Sequence, residues 1–361
     1  MVYGERPRRF FADAAAKFIE EDATKGKADN ASWLAQAMPF IGDLTLDNIH
    51  DETLKPFVAW CRAPKKTKTG KPRAGNKNNT IANKLGLIHW ILQLAAGKWR
   101  DPVTGMTWLS APPMLSIPDD SDKREPYPIS WKEQALLFPL LPSHLQSMAL
   151  FAVNTGLRDG EICQLRWDWE RDVEELGVSV FVIPKQVAKN GEERVVMLNA
   201  VARSVIDEQR GRHEQFVFVY QHNTGRGKGG PGRKDHTPMP AKPIQMMNNS
   251  GWQNARKAAA LKYREVFGRN APEGFATLHV HDLRHTFGRR LRAAGVAPET
   301  RSALLGHKTG DITTHYSAAE LLELYRAVEK IESGASAPLL QSVQKRCSPE
   351  MTTGYQVAVS R

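Results

Sequence analysis

The chain has 361 residues, of which 41% are hydrophobic and 25% are charged, a composition typical of an ordinary globular protein. At about 150 residues per domain, this length predicts two domains. The formal net charge of +11 favours a polyanionic partner, with DNA or RNA the first to test, because each contacted phosphate releases condensed counterions. No apolar run reaches the roughly 18 residues of a membrane span, and none follows the Arg-rich N-terminus, so we expect neither a membrane protein nor a secreted one.

The three cysteines, Cys61, Cys163 and Cys347, lie far apart in the sequence. They give neither the even count of a disulfide framework nor the C-x-x-C spacing of a metal site. We therefore expect reduced thiols in a cytoplasmic compartment.

The first region, residues 1–110, is predicted to be a helical domain. Apolar residues have helical spacing from Phe11 to Ile19, and residues 79–96 place an apolar stripe on one face of a second helix. That stripe consists of Ile81, Leu85, Ile88, Ile91 and Leu92. These helices need one another to bury a core.

A basic segment, Pro64 to Lys77, separates these helices. It contains two prolines and two glycines without apolar periodicity, which predicts an exposed loop. Its charges are either a solvated run or contacts to DNA phosphates, and the basic character of the whole chain favours contacts. The candidate DNA-binding residues are Lys65, Lys66, Lys68, Lys71, Arg73 and Lys77.

A segment rich in Pro, Asp and Ser, residues 111–128, predicts a linker, followed by a second domain over residues 129–335. Two β-rich runs, Val178 to Ile183 and Arg194 to Leu198, flank the turn residues 188–191 and predict a hairpin. The Gly- and Lys/Arg-rich stretch His222 to Ala241 lacks the spacing of a nucleotide-binding P-loop, so we expect a flexible basic loop. Residues 336–361 lack periodicity and predict a frayed tail.

Residues 277–295 carry an H-x-x-R motif on a predicted helix. Leu283, Phe287 and Leu291 form its buried stripe. His281, Arg284 and Gly288 share an adjoining face, where two donors beside a residue without a side chain would let a phosphate approach. A lone H-x-x-R also occurs by chance, so this motif needs support from elsewhere in the chain.

Two further stretches place candidate residues at helix ends. In residues 151–167, Asn154-Thr155-Gly156 stops a helix and leaves Arg158 near the N-terminus of the next, a position suited to an anion, although a surface arginine after a turn is the plain alternative. Glu161 is expected to be a structural partner of a nearby cation or backbone donor. In residues 303–317, Leu304-Leu305-Gly306 ends a short helix, His307 follows, and Tyr316 lies beyond a Gly-Asp turn among basic groups.

Taken together, these stretches resemble the tyrosine recombinase (phage integrase) family. That family has, in order, an Arg in T-G-L-R-x-x-E, a Lys in a β-hairpin, H-x-x-R, a His in L-G-H and a Tyr nine positions later. This sequence matches with Arg158, Lys189, His281, Arg284, His307 and Tyr316. Lys185 lies on the same hairpin, but Lys189 matches the family's K-x-x-x-x-R run better; Met197, where many members have Pro, is a minor departure.

The resemblance implies a mainly α fold with a small antiparallel β-sheet (α+β), built from a helical core-binding domain and a catalytic domain. It implies that Tyr316 attacks a DNA phosphate to give a 3′-phosphotyrosyl enzyme. Arg158 and Arg284 would clamp the nonbridging oxygens, Lys189 would protonate the leaving 5′-oxygen, His281 would assist the tyrosine proton transfer, and His307 would donate a hydrogen bond to the phosphate.

The implied partners are double-stranded DNA, a homotetramer on two synapsed duplexes, and accessory excision or DNA-bending proteins, with no membrane. The resemblance also implies a cytoplasmic location alongside the nucleoid, and we expect no metal or other cofactor. A phage or other integrative element is the favoured client. The amphipathic segment Ala318 to Ile331 packs either on a neighbouring protomer, as in the family, or on its own domain. Two rival functions are a type IB topoisomerase and a catalytically silent DNA-binding protein of the same fold.

Overall fold

The computed structural model describes residues 6–24, 26–67, 70–220, 241–306 and 317–331. The chain divides into two compact units, Met1–Glu125 and Pro126–Arg361, and the division falls within the segment for which the sequence predicts a linker. The basic stretch 222–240, the tail beyond residue 331 and Cys347 lie outside the described residues, whereas Cys61 and Cys163 are buried free thiols.

The first unit is a helical cluster around its own core. The predicted stripe on the fourth helix is confirmed, because its five apolar residues are buried against Phe11, Phe18 and Phe57. Acidic residues Asp51 and Glu52 in the first turn of the third helix complement the positive end of its dipole. The helices of this unit are α1 (Phe11–Glu21), α2 (Lys27–Ile41), α3 (Asp51–Arg62) and α4 (Asn78–Gly97).

The basic segment between α3 and α4 is mostly exposed, as predicted, and within it the chain forms a short hairpin that the sequence did not indicate. Strands β1 (Lys65–Lys66) and β2 (Pro72–Arg73) pair antiparallel. Gly70, with φ of +79°, donates its N–H to Thr67 O and closes the turn. Each strand has only two residues, too few for an apolar alternation to appear in the sequence.

The second unit is also mainly helical. α6 and α11 pack against each other through its centre, and side chains such as Phe151 and Phe287 are fully buried there. Ser130 caps α5 through a reciprocal pair of hydrogen bonds with Glu133. The helices are α5 (Trp131–Leu137), α6 (Ser143–Thr155), α7 (Asp159–Cys163), α8 (Ala200–Gln209), α9 (Ser250–Phe267), α10 (Glu273–Ala276), α11 (His281–Ala293), α12 (Pro298–Leu305) and α13 (Ala318–Glu329).

The predicted hairpin is confirmed and belongs to a three-stranded antiparallel sheet. β4 (Val178–Ile183) pairs with β5 (Arg194–Val196), and Phe181 lies opposite Val196. β3 (Glu170–Val173) adds a further edge strand that its polar sequence did not predict. A separate two-stranded ladder joins β6 (Val219–Tyr220) to β7 (Lys242–Pro243). The predicted α+β class is therefore confirmed.

α13 packs on its own unit in the structure. Leu324 and Val328 are buried in an apolar cluster that also contains Val180, Phe287 and Leu304. Met197, the departure from the family pattern, belongs to the same cluster. In the part of the chain that the structure describes, no helix has the length and apolar character needed to cross a bilayer.

Candidate active site

Arg158 lies at the junction between two helices, as its sequence context predicts. α6 ends at Thr155, and Gly156 adopts a left-handed φ of +65° that turns the chain out of the helix. A Cβ at Gly156 would lie 2.4 Å from Phe287 Cδ1, so both conformation and packing require glycine. α7 begins at Asp159, which leaves Arg158 immediately before its first turn.

A buried carboxylate, that of Glu161, holds Arg158 in place. Glu161 Oε1 accepts a hydrogen bond from Arg158 Nη1 at 2.8 Å, and Oε2 accepts one from the Arg158 backbone N–H at 2.9 Å. Arg194 Nη1, from β5, also donates to Oε2 at 3.0 Å. Burial alone would raise the pKa of Glu161, but the charge of Arg194 and the hydrogen bonds from Arg158 outweigh it and lower that pKa. The prediction that Glu161 is a structural partner of cations is confirmed.

Arg284 is buried on α11 and reaches backbone carbonyls of two other segments. Its Nη1 donates to Gly156 O at 2.6 Å, and its Nη2 donates to Leu305 O at the end of α12. Burial, followed by the charges of Arg194 and Arg158, lowers the pKa of Arg284 to about 9, against the effect of the nearby carboxylate. Three guanidinium groups thus lie around one buried carboxylate, and this excess of positive charge favours a bound anion.

His281 is the first residue of α11 and lies within electrostatic reach of both arginines. Burial lowers the pKa of its imidazole from the ordinary value of 6.5, and the charges of His285, Arg284 and Arg158 lower it further. The negative charge of Asp282 raises the pKa of His281, but by less than the other effects lower it. The ring is therefore uncharged at neutral pH, and one of its nitrogens can accept a proton.

The segment between β4 and β5 carries both hairpin lysines. Lys189 and Lys185 are exposed. Asn190, next to Lys189, donates through Nδ2 to Gly306 O at 3.3 Å, so this turn contacts the end of α12 beside Leu305. The choice of Lys189 over Lys185 still depends on the sequence motif.

His307 and Tyr316 lie outside the described residues, so their place in the site stays a prediction. The described chain on either side consists of Gly306, which ends α12 with a left-handed φ of +59°, and Ser317, which caps the start of α13. The helix stop predicted at Leu304-Leu305-Gly306 is confirmed.

A cleft of about 880 Å³ runs between α11 and α12 and contains the H-x-x-R face. His281, Arg284 and Gly288 line it together, as their helical spacing predicts. Sequence reasoning missed four more basic residues, although His285 and Arg289 follow His281 at four-residue intervals. The additional basic lining residues are His285, Arg289, Arg292 and Arg301, and none of the described residues that line the cleft is acidic. Among the residues described, no three His, Cys, Asp or Glu side chains are grouped so as to hold a metal ion.

The candidate DNA-binding residues of the first unit lie on or beside the β1–β2 hairpin. Lys65 Nζ lies 3.2 Å from the centroid of the Trp60 ring, a cation–π contact that fixes its stem. Lys77 Nζ donates to Asp122 O at 2.9 Å. Lys66, Lys71 and Arg73 are exposed, and Lys68 lies outside the described residues. The position of this hairpin leaves several cations available to a polyanion.

Comparison with known proteins identifies relatives over nearly the whole chain. The family model described as Phage integrase family matches residues 139–321, which include every candidate catalytic residue. The integrase of Salmonella phage P22 is 27% identical over 365 aligned positions, covering 93% of this chain and 83% of the relative. A shufflon-specific DNA recombinase of Escherichia coli is 24% identical over 74% of this chain and 56% of its own length.

Two solved structures are similar in fold. The Tn1549 transposon integrase in complex with transposon right end DNA covers 94% of this chain and 99% of its own, with a TM-score of 0.55 and 14% identity. A lambda integrase tetramer bound to a Holliday junction covers 86% of this chain and 83% of its own, with a TM-score of 0.51 and 14% identity. At such identities the likeness shows a shared fold.

Proposed function

Because this chain belongs to the phage integrase family, and is thus a tyrosine-type site-specific recombinase, we propose that it cleaves and rejoins double-stranded DNA through a covalent bond between Tyr316 and a DNA phosphate. The observation that carries the proposal is the convergence of Arg158 with Arg284 and His281, the last two of which line a cationic cleft. The two arginines are 126 positions apart in sequence (284 − 158 = 126), and their grouping provides donors for a single phosphate.

The two arginines are suited to bind the nonbridging oxygens of the scissile phosphate. Each guanidinium presents paired N–H donors that match phosphate geometry. Both are already oriented, Arg158 by Glu161 and Arg284 by the carbonyls of Gly156 and Leu305, so little reorganisation is needed when charge develops on the phosphate.

The reaction that we propose balances without a cofactor. The Tyr316 Oη–phosphorus bond forms while the bond from phosphorus to the 5′-oxygen breaks, which leaves a 3′-phosphotyrosyl enzyme. The phenol proton passes to the uncharged imidazole of His281, and Lys189 gives a proton to the departing 5′-oxygen. His307 donates a hydrogen bond to the phosphate.

Strand exchange follows from the same bond. The phosphotyrosyl link conserves the free energy of the broken phosphodiester, so the 5′-hydroxyl of a second duplex reseals the strand without ATP. We infer a tetramer acting on two duplexes through a Holliday junction, for which the lambda integrase tetramer is the structural parallel. The P22 integrase relative supports a phage or integrative element as the client, with accessory excision or DNA-bending proteins setting direction.

The first unit and the cleft extend the proposed DNA surface. The cleft residues Arg289, Arg292 and Arg301 continue the positive surface beyond the scissile phosphate, where neighbouring backbone phosphates would lie. The exposed cations of the β1–β2 hairpin, on a unit with its own core, would hold the duplex elsewhere as a helical core-binding domain.

The test is a trapping experiment on the element's attachment site, recovered from the junctions that flank the gene. A nick close to the cleavage position lets the short 5′-hydroxyl strand diffuse away, so the covalent adduct accumulates. We expect an adduct that survives denaturation, carries DNA on the peptide containing Tyr316, and disappears in Tyr316→Phe. Tyr325→Phe is the matched control, because Tyr325 lies on α13 and has no proposed chemical role.

The other outcomes identify the rival functions. An adduct that leads to relaxation of supercoiled DNA, with no joining of two sites, would mean a topoisomerase. Site binding without any adduct would mean a silent DNA-binding protein and would overturn the proposal.

A further inference from the structure

The end of α12 is held by side chains from three other segments. A helix leaves its last carbonyls without intrahelical partners. Here Leu304 O accepts from Arg194 Nη2 at 2.6 Å, Leu305 O accepts from Arg284 Nη2, and Gly306 O accepts from Asn190 Nδ2 at 3.3 Å. Three successive carbonyls are therefore bound by the strand β5, the helix α11 and the β4–β5 turn.

Arg194 connects this helix end to the anchor of Arg158. One of its terminal nitrogens bonds to Glu161 and the other to Leu304 O, so a single guanidinium spans the carboxylate and the carbonyl. Its stem also packs on Gly306: a Cβ there would lie 2.6 Å from Arg194 Cδ. The side chain is 5% exposed, and both of its terminal nitrogens bond to acceptors within the protein.

The chain that leaves α12 carries two residues of the proposed chemistry. Gly306 directly precedes His307, and Tyr316 follows ten residues after Gly306 (316 − 306 = 10). The position of Gly306 limits how far this segment can reach. The contacts of Arg194, Arg284 and Asn190 with the end of α12 fix that position.

We propose that Arg194 is a positioning residue, which sets the starting point of the His307–Tyr316 segment relative to the Arg158–Arg284 pair. The inference rests on the proposed function of Tyr316 as nucleophile. A lysine at 194 would keep the charge beside Glu161, but its single ammonium group lacks the planar fork that reaches both acceptors at once. In this variant the end of α12, from which the His307–Tyr316 segment leaves, would no longer be held in place. Arg158 and Arg284 would keep their charges.

The experiment compares Arg194→Lys with Arg290→Lys. Arg290 is a matched control, because it is a buried arginine whose Nη2 donates to Gln134 Oε1 at 2.6 Å, an acceptor on α5 and not on Glu161 or α12. Each variant is assayed for binding to the intact site, for the single-turnover rate and final yield of adduct on the nicked site, and for amide hydrogen exchange across residues 298–306.

We expect Arg194→Lys to bind the site with little change in Kd and to reach full adduct yield about 100-fold more slowly, because a displacement near 1 Å in a reacting group has that effect. Hydrogen exchange at the end of α12 should quicken in Arg194→Lys and stay unchanged in Arg290→Lys. A positioning defect lowers the rate constant at full yield, whereas partial unfolding lowers the yield at an unchanged rate constant.

Three results for Arg194→Lys would overturn the inference. These are a lower adduct yield at the wild-type rate constant, an unchanged rate constant of adduct formation, and unchanged amide hydrogen exchange at the end of α12. If the wild-type protein forms no adduct, the proposed function fails instead. The exchange comparison still decides separately whether Arg194 fixes the end of α12.

Discussion

At the residue scale, the site depends on one carboxylate surrounded by cations. Glu161 is 3% exposed and receives hydrogen bonds from Arg158 and Arg194. Removing a buried charge leaves its partners uncompensated, which costs far more than losing an exposed ion pair. Glu161 therefore contributes to folding and to the orientation of Arg158 through the same contacts.

Glu161→Gln should lower the free energy of unfolding by about 3–5 kcal/mol near pH 7, because two guanidinium groups lose their buried counter-charge. The pKa of Glu161 is lowered in the folded protein from 4.5, so its stabilising effect is complete above that value and is lost as the pH falls through the folded pKa. The difference in free energy of unfolding between wild type and variant, measured by urea unfolding, should therefore become smaller as the pH is lowered.

Glu133→Gln is the control for that measurement. Glu133 is equally buried, but its hydrogen bonds come from the neutral groups of Ser130 and Tyr127, so an amide leaves no unpaired cation. A stability gap for Glu161→Gln that is constant from neutral to acidic pH would contradict the charge argument.

At the scale of elements, the end of α12 is a packed junction. Gly306 has φ of +59°, a left-handed conformation in which any Cβ is strained. Its neighbour there is the Arg194 stem, and both terminal nitrogens of Arg194 are engaged, so moving the stem aside would disturb those two hydrogen bonds. Both the conformation and the packing of α12 depend on this glycine.

Gly306→Ala should therefore lose more stability than Gly177→Ala. Gly177 has nearly the same φ, +60°, with open space where a Cβ would lie, so its substitution shows the conformational cost alone, about 1–2 kcal/mol. At Gly306 we expect a further 1–3 kcal/mol, approximately, from overpacking, together with slower adduct formation. If urea unfolding shows equal losses of unfolding free energy for the two variants, the Arg194 side chain must shift to make room for the new methyl group.

Several elements could be predicted because local chemistry determines them. Gly156 and Gly306 stop helices through positive φ, and Leu283, Phe287 and Leu291 repeat at the helical period. Arg194 could not be assigned a partner this way, since its contacts with Glu161 and Leu304 span 33 and 110 residues of sequence. Long-range contacts leave no periodic trace in a single sequence.

The edge strand β3 escaped prediction for a different reason. Three of its four residues, Glu170 to Val173, are polar and all four are at least partly exposed, because an edge strand needs apolar side chains only where it covers the core. The β1–β2 hairpin is likewise too short and too exposed for a hydrophobic pattern. α13, for which the sequence left two packing partners open, lies on its own unit because Leu324 and Val328 find an apolar surface there.

At the scale of the whole molecule, charge is the dominant property. The net charge of +11 belongs to a chain whose two units each have a separate core. In the first unit, some cations pair with acids, whereas the hairpin cations project from a short exposed ladder. Position, and not the number of charges, should decide which cations contact DNA.

Replacing Lys66, Lys71 and Arg73 together by alanine should make DNA binding less sensitive to salt. The negative slope of log binding constant against log salt concentration should become smaller in magnitude by about 2–3, since each lost phosphate contact removes about 0.9. The control removes the same charge from Lys17, Lys55 and Lys98, which pair with Glu21 or Glu52. Site binding is measured by fluorescence anisotropy across a salt series. The same change of slope in both triple variants would refute a specific role for the hairpin.

The contact between Gly156 and Phe287 has a consequence for how the protein can vary over generations. Gly156 sits beside Arg158, and Phe287 sits one turn after Arg284, so each belongs to a different half of the phosphate site. The aromatic ring fills the volume that any larger residue at 156 would need. A lineage that enlarges residue 156 must both relieve the left-handed backbone there and replace Phe287 by a smaller residue, which ties two distant stretches of the gene into one heritable unit.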